Sequence, residues 1–136
     1  MKRPNMISSL VTRVSAAALL LGGLALLFVP DMVLSRLVPS FPPAASWLGQ
    51  LLGAAWLGVA ALNWSHRSTL LGGIYGRPVV STNLVLYFVG SMVLLKALEG
   101  PLGSQALWFF AAPTMVLAVV YGALLVRGPF DPLRGT

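Results

Sequence analysis

The uncharged stretch QALWFFAAPTMVLAVVYGALLV, residues 105–126, decides the fold of this 136-residue chain. A helix that crosses the hydrocarbon core of a bilayer needs about 20 predominantly apolar residues, and this stretch supplies them. Three further stretches of comparable length precede it, at about residues 10–29, 45–64 and 79–98. The sequence therefore predicts four transmembrane helices in a single domain, residues 1–136.

Proline and glycine residues separate the four apolar stretches. Pro30 follows the first, Pro43 precedes the second, and Gly100 with Pro101 makes a tight turn before the fourth. A transmembrane β-barrel would require alternating apolar and polar residues, which runs such as AAALLL at residues 16–21 lack. We therefore predict an all-α integral membrane four-helix bundle with short loops.

The composition limits the functional classes. The chain is 57% hydrophobic and 9% charged, whereas a soluble domain carries about 25% charged residues. It has no cysteine and one histidine, His66, which excludes thiolate metal sites and argues against sites built from several imidazoles. No acidic residue lies inside the four stretches, so they contain neither a pair of carboxylates nor a nucleophile–base–acid set. The sequence predicts a non-enzymatic protein without a metal or cofactor.

The basic residues are distributed asymmetrically about the predicted spans. Two of them, Arg36 and Lys96, lie on one side. The seven on the other side are Lys2, Arg3, Arg13, Arg67, Arg77, Arg127 and Arg134. Because cytoplasmic loops carry an excess of Lys and Arg, both termini are predicted to be cytoplasmic. The net charge of +6 is thus spread over the span ends, which indicates membrane topology and no nucleic-acid partner.

Segments outside the spans are expected at the membrane surface. Residues 31–38, DMVLSRLV, are too short to span and predict either a short interfacial helix or an ordered loop. In the connection between the second and third spans, the residues expected to dip into the membrane surface are Leu70, Leu71, Ile74 and Tyr75. Trp64, Tyr75 and Tyr121 are expected at one membrane–water interface, a level that Trp and Tyr favour.

Small residues recur at helical spacing in the second span. Ala45, Gly49 and Gly53 form one stripe, and a second stripe runs through Ala54, Gly58 and Ala61. Transmembrane helices associate through small residues that allow close approach of their backbones. Either stripe can hold the bundle together or form an oligomer face, and the sequence leaves both alternatives open.

Polar residues gather near the predicted cytoplasmic ends of the second and third spans. They are Asn63, His66, Arg67, Arg77 and Asn83, which we expect at one depth. One interpretation is an Asn63–Asn83 amide hydrogen bond that closes the helix pair, with the arginines at lipid phosphates. The other is a polar pocket for an anionic head group or ligand, since polar residues in membrane spans are frequently functional.

The run from Gly72 to Pro78, GGIYGRP, followed by Asn83 in the next span, resembles a pattern in small bacterial four-helix membrane proteins of unassigned function, a group loosely similar to DoxX. The resemblance covers the second and third spans. It implies a four-helix bundle in the bacterial inner membrane, and it brings no catalytic residues with it.

Two functional hypotheses follow. The first is a non-catalytic accessory or structural subunit of a larger membrane complex, with other membrane subunits or a second copy as partners. The alternative is a homo-oligomeric channel, transporter or lipophile-binding protein that uses the polar cluster. The lipid bilayer surrounds the chain in either case, and anionic lipid head groups are expected partners of its basic side.

Overall fold

The computed structural model describes residues 6–69, 71, 74–100 and 105–127. Their helices are α1 (Met6–Phe28), α2 (Pro30–Leu37), α3 (Ser46–Ser65), α4 (Arg77–Glu99) and α5 (Gln105–Arg127). Short 3₁₀ turns, Pro43–Ala45 and Ile74–Gly76, precede α3 and α4. Some residues used in the sequence predictions lie outside the described ranges: Lys2, Arg3, Leu70, Gly72, Gly73, Pro101 and Arg134.

Four of the described helices are long and apolar enough to cross a membrane. An apolar run of this length forms a helix in a membrane because a helix satisfies its backbone hydrogen bonds within one segment and needs no partner strand. The all-α prediction is therefore confirmed, and each of the four predicted stretches is helical. The helices of the first and third predicted spans, α1 and α4, begin earlier than predicted, at Met6 and Arg77.

The segment after the first span is a helix. Val29 separates α1 from α2, and Pro30 occupies the first position of α2, where its missing N–H costs no hydrogen bond. Of the two alternatives for this segment, a short helix or an ordered loop, the helix is confirmed. Leu34 and Pro30 of α2 pack closely on Gly49 of α3, and the Ser46 hydroxyl of α3 donates a hydrogen bond to the Asp31 carboxylate.

The long helices form two closely packed pairs, α1 with α3 and α4 with α5, and the backbones of the two pairs approach each other less closely. Gly23 and Gly53 set the first pairing, since a Cβ built on Gly53 would lie 2.7 Å from the Gly23 carbonyl oxygen. Side chains join the pairs in a core at the end where α1 and α4 begin. Fully buried members of this core include Val79, Val80, Leu71 and Leu124.

Leu71 corrects one expectation. It lies in the connection between α3 and α4, and its side chain is completely buried in the core instead of dipping into the membrane surface. Ile74 and Tyr75, a few residues later, are more than three-quarters exposed. The connection therefore buries the Leu71 side chain in the core and leaves those of Ile74 and Tyr75 exposed.

Candidate functional site

An amide pair joins α3 to α4. Asn63 and Asn83 are both completely buried. The Asn63 Nδ2 donates to the Asn83 Oδ1 at 2.8 Å, and the Asn83 Nδ2 donates back to the Asn63 Oδ1 at 2.5 Å. The Asn83 amide also donates to the Val79 carbonyl at 2.8 Å. The hydrogen bond predicted between these two residues is present in both directions, so the amides satisfy each other inside the bundle.

The three charged or titratable members of the predicted cluster have other contacts. His66 Nδ1 lies 3.0 Å from the Leu62 carbonyl oxygen of its own helix. Arg67 donates to the Trp64 carbonyl at 2.8 Å, and its guanidinium carbon lies 4.6 Å from the centre of the Trp64 ring system. Arg77 is exposed at the start of α4. The structure thus joins two of the five residues, and head-group binding by the set stays a prediction.

A row of buried hydroxyls on α1 was not predicted. Ser8, Thr12 and Ser15 lie on one helix face, and none is more than 2% exposed. Thr12 donates to the Ser8 carbonyl at 2.5 Å, and the Tyr121 hydroxyl of α5 donates to the Ser15 hydroxyl at 2.9 Å. The signal in the sequence is the spacing of four and then three residues, which places polar side chains on one face of an apolar helix.

Two tyrosines complete this polar seam between the helix pairs. The rings of Tyr87 and Tyr121 stack with centroids 5.8 Å apart, and both residues are buried. Tyr121, which was predicted at a membrane–water interface, points into the bundle, where its hydroxyl donates to Ser15. Its depth in the membrane stays a prediction. The buried Tyr87 hydroxyl has no hydrogen-bond partner among the described residues.

The two small-residue stripes of α3 have different surroundings. Gly49 and Gly53 of the first stripe are buried against α2 and α1, where a Cβ would meet atoms within 3 Å. Gly58 of the second stripe is exposed, and a Cβ built there would meet nothing within 4 Å. Ala54 and Ala61 are exposed as well. We call Ala54, Gly58 and Ala61 the outer face of α3.

Comparison of the chain with family models, with curated proteins and with solved structures finds no match. Within the described ranges, no group of three or more His, Asp or Glu side chains could hold a metal ion.

Proposed function

We propose that the chain is a non-catalytic accessory subunit of a larger complex in the bacterial inner membrane, and that the outer face of α3 docks a transmembrane helix of another subunit. The observation that carries the proposal is the open space beside Gly58. Gly58 has no side chain beyond a hydrogen atom, and it is exposed on a helix that is long and apolar enough to span a membrane.

The physical basis is the way helices associate in lipid. Lipid tails are as apolar as leucine, so burial of apolar surface does not bring helices together, and close van der Waals contact must do so. The internal pairing of α1 with α3 illustrates the geometry, since Gly23 and Gly53 allow backbone atoms to touch. Gly58 lies five residues beyond Gly53, about 140° around a helix of 3.6 residues per turn. A second helix can approach α3 from that side as closely as α1 does.

The proposed orientation places both termini and the connection between α3 and α4 in the cytoplasm. It is supported by the charge asymmetry of seven basic residues against two. In this orientation α2 lies at the outer surface, and the Asn63–Asn83 pair lies toward the cytoplasmic side.

A leucine substitution on α3 and a matched control on α5 test the docking proposal. Gly58→Leu adds a bulky side chain where the chain itself has no atom within 4 Å, so the bundle should fold normally and lose its partner. Ala112→Leu, at an exposed position of α5, is the matched control and should keep it. The assay is mild detergent extraction from native membranes, followed by native gels and mass spectrometry of the bands. A Gly58→Leu variant that migrates in the same complex as the wild type would contradict the proposal.

A second candidate is the homo-oligomeric channel, transporter or lipophile-binding protein. The observation that favours it is the row of Ser8, Thr12 and Ser15 hydroxyls beside the unpartnered Tyr87 hydroxyl, since polar groups inside a membrane bundle are costly and frequently functional. Migration of the extracted wild type only as a small homo-oligomer would favour this candidate. A flux assay in liposomes with Ser15→Ala would then examine the polar seam directly, because Ser15 accepts the Tyr121 hydrogen bond.

A further inference from the structure

A second feature lies at the opposite end of the bundle from the amide pair. A cleft of about 540 Å³ separates α2 from the beginning of α5. Its walls are mostly apolar and include Val33 and Leu37 of α2 and Phe109 and Phe110 of α5. The cleft is open to the surroundings along much of its surface, so a molecule lying in it would stay partly exposed.

Two polar side chains, Arg36 and Gln105, line the cleft. Arg36 belongs to the last turn of α2, and Gln105 is the first residue of α5. Phe109 and Phe110 follow Gln105 by four and five residues, which places them about 6–8 Å further along the helix at 1.5 Å per residue. The α5 wall of the cleft is therefore polar at the first residue of the helix and apolar one turn further along, an order that matches the head group and acyl chain of a lipid.

The charge of Arg36 is available for a ligand. Asp31, the acidic residue of α2, accepts the hydrogen bond from Ser46 and lines a different hollow. Asp31 and Arg36 are five residues apart, so they point in directions about 140° apart around the helix. No hydrogen bond joins Arg36 to a carboxylate in the described part of the chain, and its side chain is exposed.

The α2 wall of the cleft is held in place before any ligand arrives. Leu34 and Pro30 pack against Gly49, where a Cβ would approach Leu34 to 2.8 Å. The Ser46–Asp31 hydrogen bond adds a polar tie between the same two helices. A preformed wall lowers the ordering cost of binding.

We propose that this cleft binds one phospholipid with an anionic head group. An acyl chain lies against Val33, Phe109 and Phe110, and the Arg36 guanidinium donates paired hydrogen bonds to the phosphate, the geometry for which arginine is suited. Gln105 supplies a further donor. The predominance of apolar wall selects a lipid over free phosphate, because a small anion would leave that wall uncovered.

Native mass spectrometry of the purified full chain tests the proposal, with phosphatidylglycerol or phosphatidylcholine added to the detergent. The wild type should retain one phosphatidylglycerol in preference to phosphatidylcholine. Arg36→Gln should weaken phosphatidylglycerol binding at least about tenfold, because it removes the charge and the paired hydrogen bonds to the phosphate.

Two further variants separate the cleft from general charge effects. Arg127→Gln removes an exposed cation at the other end of the bundle and should leave this binding unchanged. Ala106→Trp, at an exposed cleft residue, places a bulky ring in the cleft and should weaken binding while the protein stays folded. Equal weakening by Arg36→Gln and Arg127→Gln, or full binding by Ala106→Trp, would overturn the proposal.

Discussion

Replacing Asn83 by leucine breaks the amide pair and leaves Asn63 buried without its partner. Both hydrogen bonds between α3 and α4 are lost, those of 2.8 and 2.5 Å. Hydrogen bonds between membrane helices contribute about 0.6 kcal/mol on average and up to about 1.7 kcal/mol. Two such bonds predict a loss of about 1–3 kcal/mol in the free energy of unfolding for either single variant, Asn63→Leu or Asn83→Leu.

The double variant gives the sharper result. Once one amide is gone, the other makes no bond across the interface, so removing it as well should cost little and can relieve an unpaired buried group. The free energy lost by the double variant should therefore be close to that of one single variant. The coupling energy of the cycle should be about 1–3 kcal/mol.

Reversible unfolding in mixed detergent, followed by the fluorescence of the four tryptophans, provides the free energies. Sites that do not interact give additive effects within about 0.3–0.5 kcal/mol. Additivity of the Asn63→Leu and Asn83→Leu effects within that limit would refute the inference that the pair closes the interface between the helix pairs.

Two further matched comparisons follow from the packing. Tyr121→Phe should lower the free energy of unfolding by about 1 kcal/mol in the same assay, because it removes the hydrogen bond to Ser15. Tyr87→Phe should be neutral or stabilising, because the buried Tyr87 hydroxyl has no partner among the described residues. Equal losses in the two variants would contradict this interpretation. Gly53→Leu should cost at least about 1–3 kcal/mol through overpacking against the Gly23 backbone, and Gly58→Leu should change stability by less than about 0.5 kcal/mol because its surroundings are open. A large loss in Gly58→Leu would show that this glycine packs inside the bundle.

The four spans could be predicted because they depend on the length and apolar content of each segment alone. The Asn63–Asn83 bond was also within reach, since antiparallel spans joined by a short connection bring residues at equal depth together. The sequence could not show which of the two small-residue stripes of α3 packs inside the bundle and which is exposed. Gly53 and Gly58 occur in similar local patterns, and only the positions of α1 and α2 decide which of them is covered.

The buried tyrosine shows why the polar seam escaped prediction. A tyrosine near the end of an apolar span is typical of the membrane interface, and the sequence does not reveal that Tyr121 faces Ser15, 106 positions earlier in the chain. The hydroxyl row that includes Ser15 has a helical spacing that could have been noticed. Its partner on α5 depends on how the two helix pairs dock, which no local pattern encodes.

The most direct measurement of the docking proposal is site-specific photo-crosslinking in native membranes. A photoreactive amino acid at Ala61, on the outer face of α3, is compared with one at Val119, which is 72% exposed on α5. The proposal predicts that position 61 yields a discrete adduct with one other membrane protein, that position 119 does not, and that Gly58→Leu abolishes the adduct. Equal adducts at both positions, or an adduct at position 61 that survives Gly58→Leu, would contradict it.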